Sequence, residues 1–213
     1  MTDMKKMTFL FDMDGVIIDS ETQYTVFWDR IGEEILDRHG FGASIKGQTL
    51  TEIMDGNFPD DKALREKVIA ALYRFEVDMD YDYIPGAREF LTEVKEAGIP
   101  SAIVTSSNAA KMANVLRHHP ELPSLVDLIL TSEHFSRSKP DPECFIKGID
   151  MLGGRSGETI VFEDSFYGIE AGRAAGASIV GLATTNSREA IAPLCDIVTD
   201  DFIGFHIRNI LKT

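Results

Sequence analysis

The chain has 213 residues and a formal net charge of −14, with 35 Asp and Glu against 21 Lys and Arg. That balance disfavours nucleic acid and anionic membrane as partners, since both are held by clustered cations. A hydrophobic content of 44% excludes a disordered chain, and the length suits one domain with a sizeable insert.

Residues 8–11, Thr-Phe-Leu-Phe, are the first strand-like run. From Ser20 to about Tyr83 no convincing strand follows. Two helical patterns occupy that stretch, over residues 22–39 and 61–80, with Gly40, Gly42, Gly47, Gly56 and Pro59 between them. Pro85-Gly86 then precedes a helix over residues 87–97, which Gly98 terminates. A strand over 102–105 leads to Asn108, which can cap a helix from Ala109 to His118. A strand over 125–130 comes next, and Asp141-Pro142-Glu143 opens another helix with an N-cap, a first-turn Pro and an acid. Further strands fall at 159–162 and 178–182, with a weaker one at 196–198. The strand runs show little polar alternation, as in parallel strands buried on both faces. Alternating strands and helices of this kind make an α/β fold, a Rossmann-like three-layer core with a mostly parallel sheet. The expected core spans residues 1–19 and 84–213. A small all-helical cap, residues 20–83, is inserted after the first strand.

Cys144 and Cys195 lie far apart, so a disulfide framework is not expected. The five histidines form no zinc spacing. No apolar run approaches the ~20 residues needed to span a bilayer. The apolar run before Asp12 is shorter than the roughly 7–15 residues of a secretory signal. The expectation is a cytoplasmic protein that binds neither membrane nor nucleic acid, monomeric by default.

Four segments can carry chemistry. The first strand runs directly into Asp12-Met13-Asp14-Gly15. In open α/β sheets the active crevice lies at the carboxyl ends of the strands, so both acids can turn into it, and Gly15 lets the backbone swing away. The strand at 159–162 runs into Glu163-Asp164-Ser165 in the same way. Acids at two strand ends form a hard oxygen-ligand set, best matched to Mg²⁺. Thr105-Ser106-Ser107-Asn108 joins a strand end to a helix N-terminus, where hydroxyls and backbone N–H groups suit an oxyanion. In Ser138-Lys139-Pro140-Asp141-Pro142, Pro140 restricts Lys139 to an extended backbone. Alone, each segment also reads as an acidic turn, a helix cap or a surface lysine.

Taken together and in this order, the segments resemble the haloacid dehalogenase superfamily, whose members are mostly phosphatases. The match includes Asp12-Met13-Asp14-Gly15-Val16-Ile17-Ile18-Asp19-Ser20-Glu21, Thr105, Ser138-Lys139-Pro140-Asp141-Pro142 and Glu163-Asp164-Ser165. The helical insert is similar to that of the subgroup containing β-phosphoglucomutase-like proteins and phosphoglycolate phosphatases.

The resemblance implies Asp12 as nucleophile, forming an aspartyl-phosphate, and Asp14 as acid and then base. It implies Thr105, the Ser106 amide and Lys139 on the phosphoryl oxygens. It implies Mg²⁺ held by Asp12, the Asp14 carbonyl, Asp164 and Glu163, the last directly or through water. An Asp at position 14 points to phosphate esters, because dehalogenases and phosphonatases lack it. The substrate expected is a small phosphorylated metabolite. The β-phosphoglucomutases carry a His and a cap Arg at the places of Tyr24 and Leu50, so a phosphatase is favoured over a mutase. A weakly catalytic protein that binds metal or phosphate is a further alternative. Lys46, Gln48, Leu50 and Tyr24 are the candidate substrate-specificity residues, and residues 19–21 and 81–85 the expected hinges of a closing cap.

Overall fold

A strand buried on both faces needs cover above and below, and each apolar run receives it. The strands are β1 (Thr8–Phe11), β2 (Ser101–Val104), β3 (Leu128–Leu130), β4 (Thr159–Glu163), β5 (Ser178–Leu182) and β6 (Ile197–Thr199). The computed structural model describes residues 7–46, 48–58 and 61–211. All the strand pairings are parallel, in the order β3-β2-β1-β4-β5-β6. This is the doubly wound order, whose switch point falls beside β1.

Side chains alternate across the sheet. Leu10, Val104, Val161 and Ile179 turn to one face, against Phe145 and Ile149 of the helix Glu143–Met151 and Ile169 of the helix Phe166–Ala174. The other face is aromatic. Phe90 of the helix Ala87–Glu96 lies with its ring centroid 6.4 Å from Phe9, 5.4 Å from Phe162 and 5.0 Å from Phe202. Helices therefore cover both faces of a parallel sheet, giving the expected three-layer α/β fold.

The chain divides into two compact units, residues 1–19 with 81–213 and residues 20–80. In the first, residues 17–19 run antiparallel to 82–84. The Asp19 N–H donates to the Asp82 carbonyl at 2.8 Å, and the Ile84 N–H to the Ile17 carbonyl at 2.9 Å. The second unit is helical, and Phe27, Trp28, Met54 and Val68 are buried in its core. Phe27 stacks on Phe75 at 4.8 Å. Gly47 and Pro59, expected to punctuate this insert, lie outside the described residues.

Three local expectations are corrected. The run at 125–130 is not one strand. Leu122–Leu125, with Pro123 in its first turn, is a short helix, so β3 starts at Leu128. The helical pattern at 22–39 breaks, because the α-helix Glu21–Ile31 gives way to a π-helical turn, Gly32–Leu36, ended by Asp37 at φ 51°. A helix over Leu50–Asn57 was not foreseen. Its signal was present as Thr49-x-x-Glu52, a capping box in which each residue satisfies a backbone N–H of the other.

Candidate active site

Register places the chemistry. Phe11 pairs with Ile103 of β2 and Phe162 of β4, so Asp12, Val104 and Glu163 stand at one level on adjacent strands. The Asp12 N–H donates to the Phe162 carbonyl at 3.0 Å. Lys139 reaches all three strands from its own loop. Its Nζ is 2.5 Å from Asp12 Oδ1, 2.7 Å from Glu163 Oε1 and 3.3 Å from the Val104 carbonyl. The three donors of an ammonium thus have three acceptors. The Phe145 ring, 4.7 Å away, covers the head group.

Burial dominates the electrostatics. It is the largest influence on Asp12 and pushes the carboxyl up to about 7; Lys139 pulls it down, and Glu163 and Asp14 push it up again. Burial works against the Lys139 ammonium too, but the Asp12 and Glu163 carboxylates outweigh it and hold the lysine above its usual value. Both partners rise, so the lysine keeps its proton and Asp12 is the member whose charge is at stake.

Glu163 is the more constrained carboxylate. Its Oε1 accepts from Lys139, and its Oε2 from the Asp164 N–H at 3.0 Å, the Ser165 N–H at 3.1 Å and the Ser165 hydroxyl at 3.0 Å. Gly168 is packed against it, since a Cβ there would overlap the carboxylate. Asp164 is buried beside it, with Oδ2 accepting from the Thr185 hydroxyl and its carbonyl from Asn186 Nδ2 at 2.9 Å. Gly15 has φ +74°, and a Cβ on it would collide with the Asp164 carboxylate. Glycine is therefore required there by both conformation and space. The Thr184 hydroxyl fixes the same turn through the Gly15 carbonyl, at 2.6 Å.

Thr105 follows β2 in a tight turn, its hydroxyl accepting from the Ser107 N–H at 2.9 Å while its own O–H can still donate. Ser106 is exposed on this turn. Asp14 faces the next helix. Its Oδ2 accepts from the Ser107 hydroxyl at 2.7 Å and its Oδ1 from Lys111 Nζ at 2.5 Å.

Asp12, Asp14, Thr105, Lys139, Glu163 and Asp164 are thus all supplied by the carboxyl ends of one sheet's strands and the loops at that edge. The hard-oxygen donors on offer are the Asp12 and Asp164 carboxylates and the Asp14 carbonyl. No three His, Cys, Asp or Glu side chains among the described residues form a metal cluster by themselves. Tyr24, Lys46, Gln48 and Leu50 belong to the helical unit. There the Tyr24 hydroxyl donates to Glu76 at 2.8 Å and Leu50 packs against the core. Lys46 and Gln48 are exposed.

Sequence reasoning missed Lys111 and the run Thr184-Thr185-Asn186. The run carried a usable signal, being rich in polar side chains and set just past β5, like Thr105-Ser106 past β2. Lys111 carried only a faint one, a cation in the first turn of a helix, where the dipole disfavours it.

The haloacid dehalogenase-like hydrolase family model matches residues 6–176. The validoxylamine A 7′-phosphate phosphatase of Streptomyces hygroscopicus subsp. limoneus is 31% identical over 90% of this chain and 92% of its own length. Hexitol phosphatase A of Escherichia coli K12 is 30% identical over 84% of each chain. Among solved structures, the β-phosphoglucomutase of Clostridium difficile superposes with a TM-score of 0.76 at 23% identity, over 96% of this chain and 95% of that one. The chain belongs to the haloacid dehalogenase-like hydrolases and is an enzyme of that family.

Proposed function

We propose that this protein is a Mg²⁺-dependent phosphatase of small sugar or polyol phosphates, working through an aspartyl-phosphate on Asp12. The observation that carries the reading is the separation of two acids one residue apart into different settings. Asp12 is buried against Lys139, and Asp14 is turned to Ser107 and Lys111. A nucleophile and an acid–base need just such a division.

In the first step an Asp12 carboxylate oxygen bonds to phosphorus as the ester P–O bond breaks, and Asp14 gives its proton to the departing alkoxide. In the second, water attacks the aspartyl-phosphate, Asp14 takes a proton from it, and the Asp12–phosphorus bond breaks to release phosphate. Phosphorus configuration is retained after two displacements. The Thr105 hydroxyl, the Ser106 N–H and Lys139 hold the phosphoryl oxygens. Lys139 also fixes Asp12, and Glu163 fixes Lys139.

The donor set fits Mg²⁺, which uses one or two carboxylates and keeps several waters. Asp12, the Asp14 carbonyl and Asp164 would hold the ion, whose chemistry is to neutralise charge on the phosphoryl group. Glu163, expected to reach the ion directly or through water, also holds Lys139 through Oε1 and the Asp164 N–H through Oε2, and we give it the water-mediated place.

The phosphatase names of the two relatives support the substrate class. Tyr24 supports hydrolysis over isomerisation, since it occupies the mutase His position and its hydroxyl serves the packing of the helical unit. The experiment is phosphate release from a panel of hexitol and sugar phosphates with Mg²⁺, for the wild type and Asp12→Asn. The wild type should turn over at least one ester, and Asp12→Asn none. Near wild-type activity in Asp12→Asn would sink the reading, and so would conversion of β-glucose 1-phosphate to glucose 6-phosphate faster than phosphate release.

A further inference from the structure

We propose that Lys111 is a positioning residue for Asp14, holding with Ser107 the carboxyl group that protonates the leaving oxygen. The inference rests on the phosphatase reading above and adds to it a residue that the four motifs do not contain.

Lys111 is the third residue of the helix Ala109–His118, where its N–H donates to the Asn108 cap at 2.9 Å. The positive end of the helix dipole disfavours a cation in that turn. The residue is also only 5% exposed, and lysine is almost never so buried unless paired. Both costs need an offset, and Asp14 Oδ1 at 2.5 Å supplies it. Ninety-seven residues separate the pair, so no local folding preference brings them together. The Ser107 hydroxyl takes the other oxygen at 2.7 Å. Each oxygen of the Asp14 carboxylate thus has its own donor, and both donors lie within one short segment after β2. Rotation of the Asp14 side chain would break a partly buried ion pair, so the acid is held in one orientation.

Orientation matters most where a proton must be delivered in flight. A hexitol phosphate must expel an alkoxide, which needs a proton as the ester bond breaks. p-Nitrophenyl phosphate expels a stabilised phenolate and needs little help. A misplaced Asp14 should therefore slow the first ester far more than the second.

The readout is leaving-group release in the first turnover, with Mg²⁺ present and enzyme in excess, which reads ester cleavage before hydrolysis of the phosphoenzyme. Lys111→Met keeps the length and removes the charge. It should slow release from a hexitol phosphate by about 100-fold or more, the scale of general acid catalysis, and release from p-nitrophenyl phosphate by less than about tenfold. Steady-state KM should stay within about threefold, as expected when only the transition state loses an interaction. Ser107→Ala, which deletes one hydroxyl, should show the same bias at about tenfold, and decides the matter if Lys111→Met fails to fold. Equal losses on the two esters, or a raised KM with an unchanged rate, overturn the proposal. A wild type inactive on both esters, or an active Asp12→Asn, instead brings down the phosphatase reading.

Discussion

At the scale of single residues, Asp12 is the group on which most depends. Burial raises its carboxyl first of all, and Lys139, Glu163 and Asp14 then adjust its charge. The carboxyl ionises near 3.8 in an unfolded chain and near 7 when folded. Between those values the folded protein retains a proton that the unfolded chain has lost. The stability this contributes is complete below about pH 4 and is lost as pH rises through 7. In metal-free protein, Asp12→Asn should therefore gain on the wild type as pH rises. The difference in Tm should widen by about 4 °C or more from pH 4.5 to 7.5, at roughly 2–4 °C per kcal/mol for a chain of this size. A difference that stays constant would show that the Asp12 proton is not linked to folding. Asp12 and Lys139 were legible in the sequence because their neighbours are distinctive: Met13-Asp14-Gly15 for one, and Pro140-Asp141-Pro142 for the other. Lys111 was not, since a helical lysine on paper is the same letter whether solvated or buried.

Among the elements, the strand ends and the turns after them build the site. Register puts Asp12 beside Glu163, and the helix Phe166–Ala174 then packs its first turn against the Glu163 carboxylate through Gly168. Gly168→Ala would press a methyl group into the carboxylate that holds Lys139. It should cost roughly 1–3 kcal/mol as overpacking, and lower kcat at least about tenfold by shifting Lys139 and Asp12. Gly157→Ala is the control, because a Cβ there meets open space. Thermal melts and phosphate release on the two variants check this, and equal behaviour would refute it. The six strands could be read as apolar runs, and most helices through Gly, Pro and cap residues. The failures came at element ends. Leu125, the first residue of the run 125–130, closes the short helix that holds Pro123, and the packing of Phe27, Trp28 and Phe41 into one core accompanied the break at Gly32–Leu36.

For the whole molecule, the question is how a chain of charge −14 holds a phosphate dianion. Residues 20–85 carry 14 acids and 7 basic residues, so half of the excess lies in and beside the helical insert. At the site, Asp12, Asp14, Glu163 and Asp164 bring four negative charges. On the motifs alone, Lys139 and a divalent cation would leave one uncancelled, and Lys111 cancels it. The balance reaches zero only with the metal, so affinity for an anion has to come from local charge and oriented donors. Chelation should therefore abolish turnover. Dialysis against EDTA should leave less than about a hundredth of the activity, and Mg²⁺ should restore it, the measurement being phosphate release with the Tm followed in parallel. A tenth of the activity surviving in folded, metal-free protein would contradict this.

The sequence by itself determined the α/β alternation, the helical insert and the order of four motifs, because apolar periodicity, caps and strand-end acids are written in neighbouring letters. Only the tertiary structure decided which charges meet. It closed Lys139 onto three strands, gave Glu163 to Lys139, and brought Lys111 to Asp14 across 97 positions. The reason is physical: periodicity is a property of adjacent residues, whereas the partner of a buried charge is chosen by sheet register and helix packing.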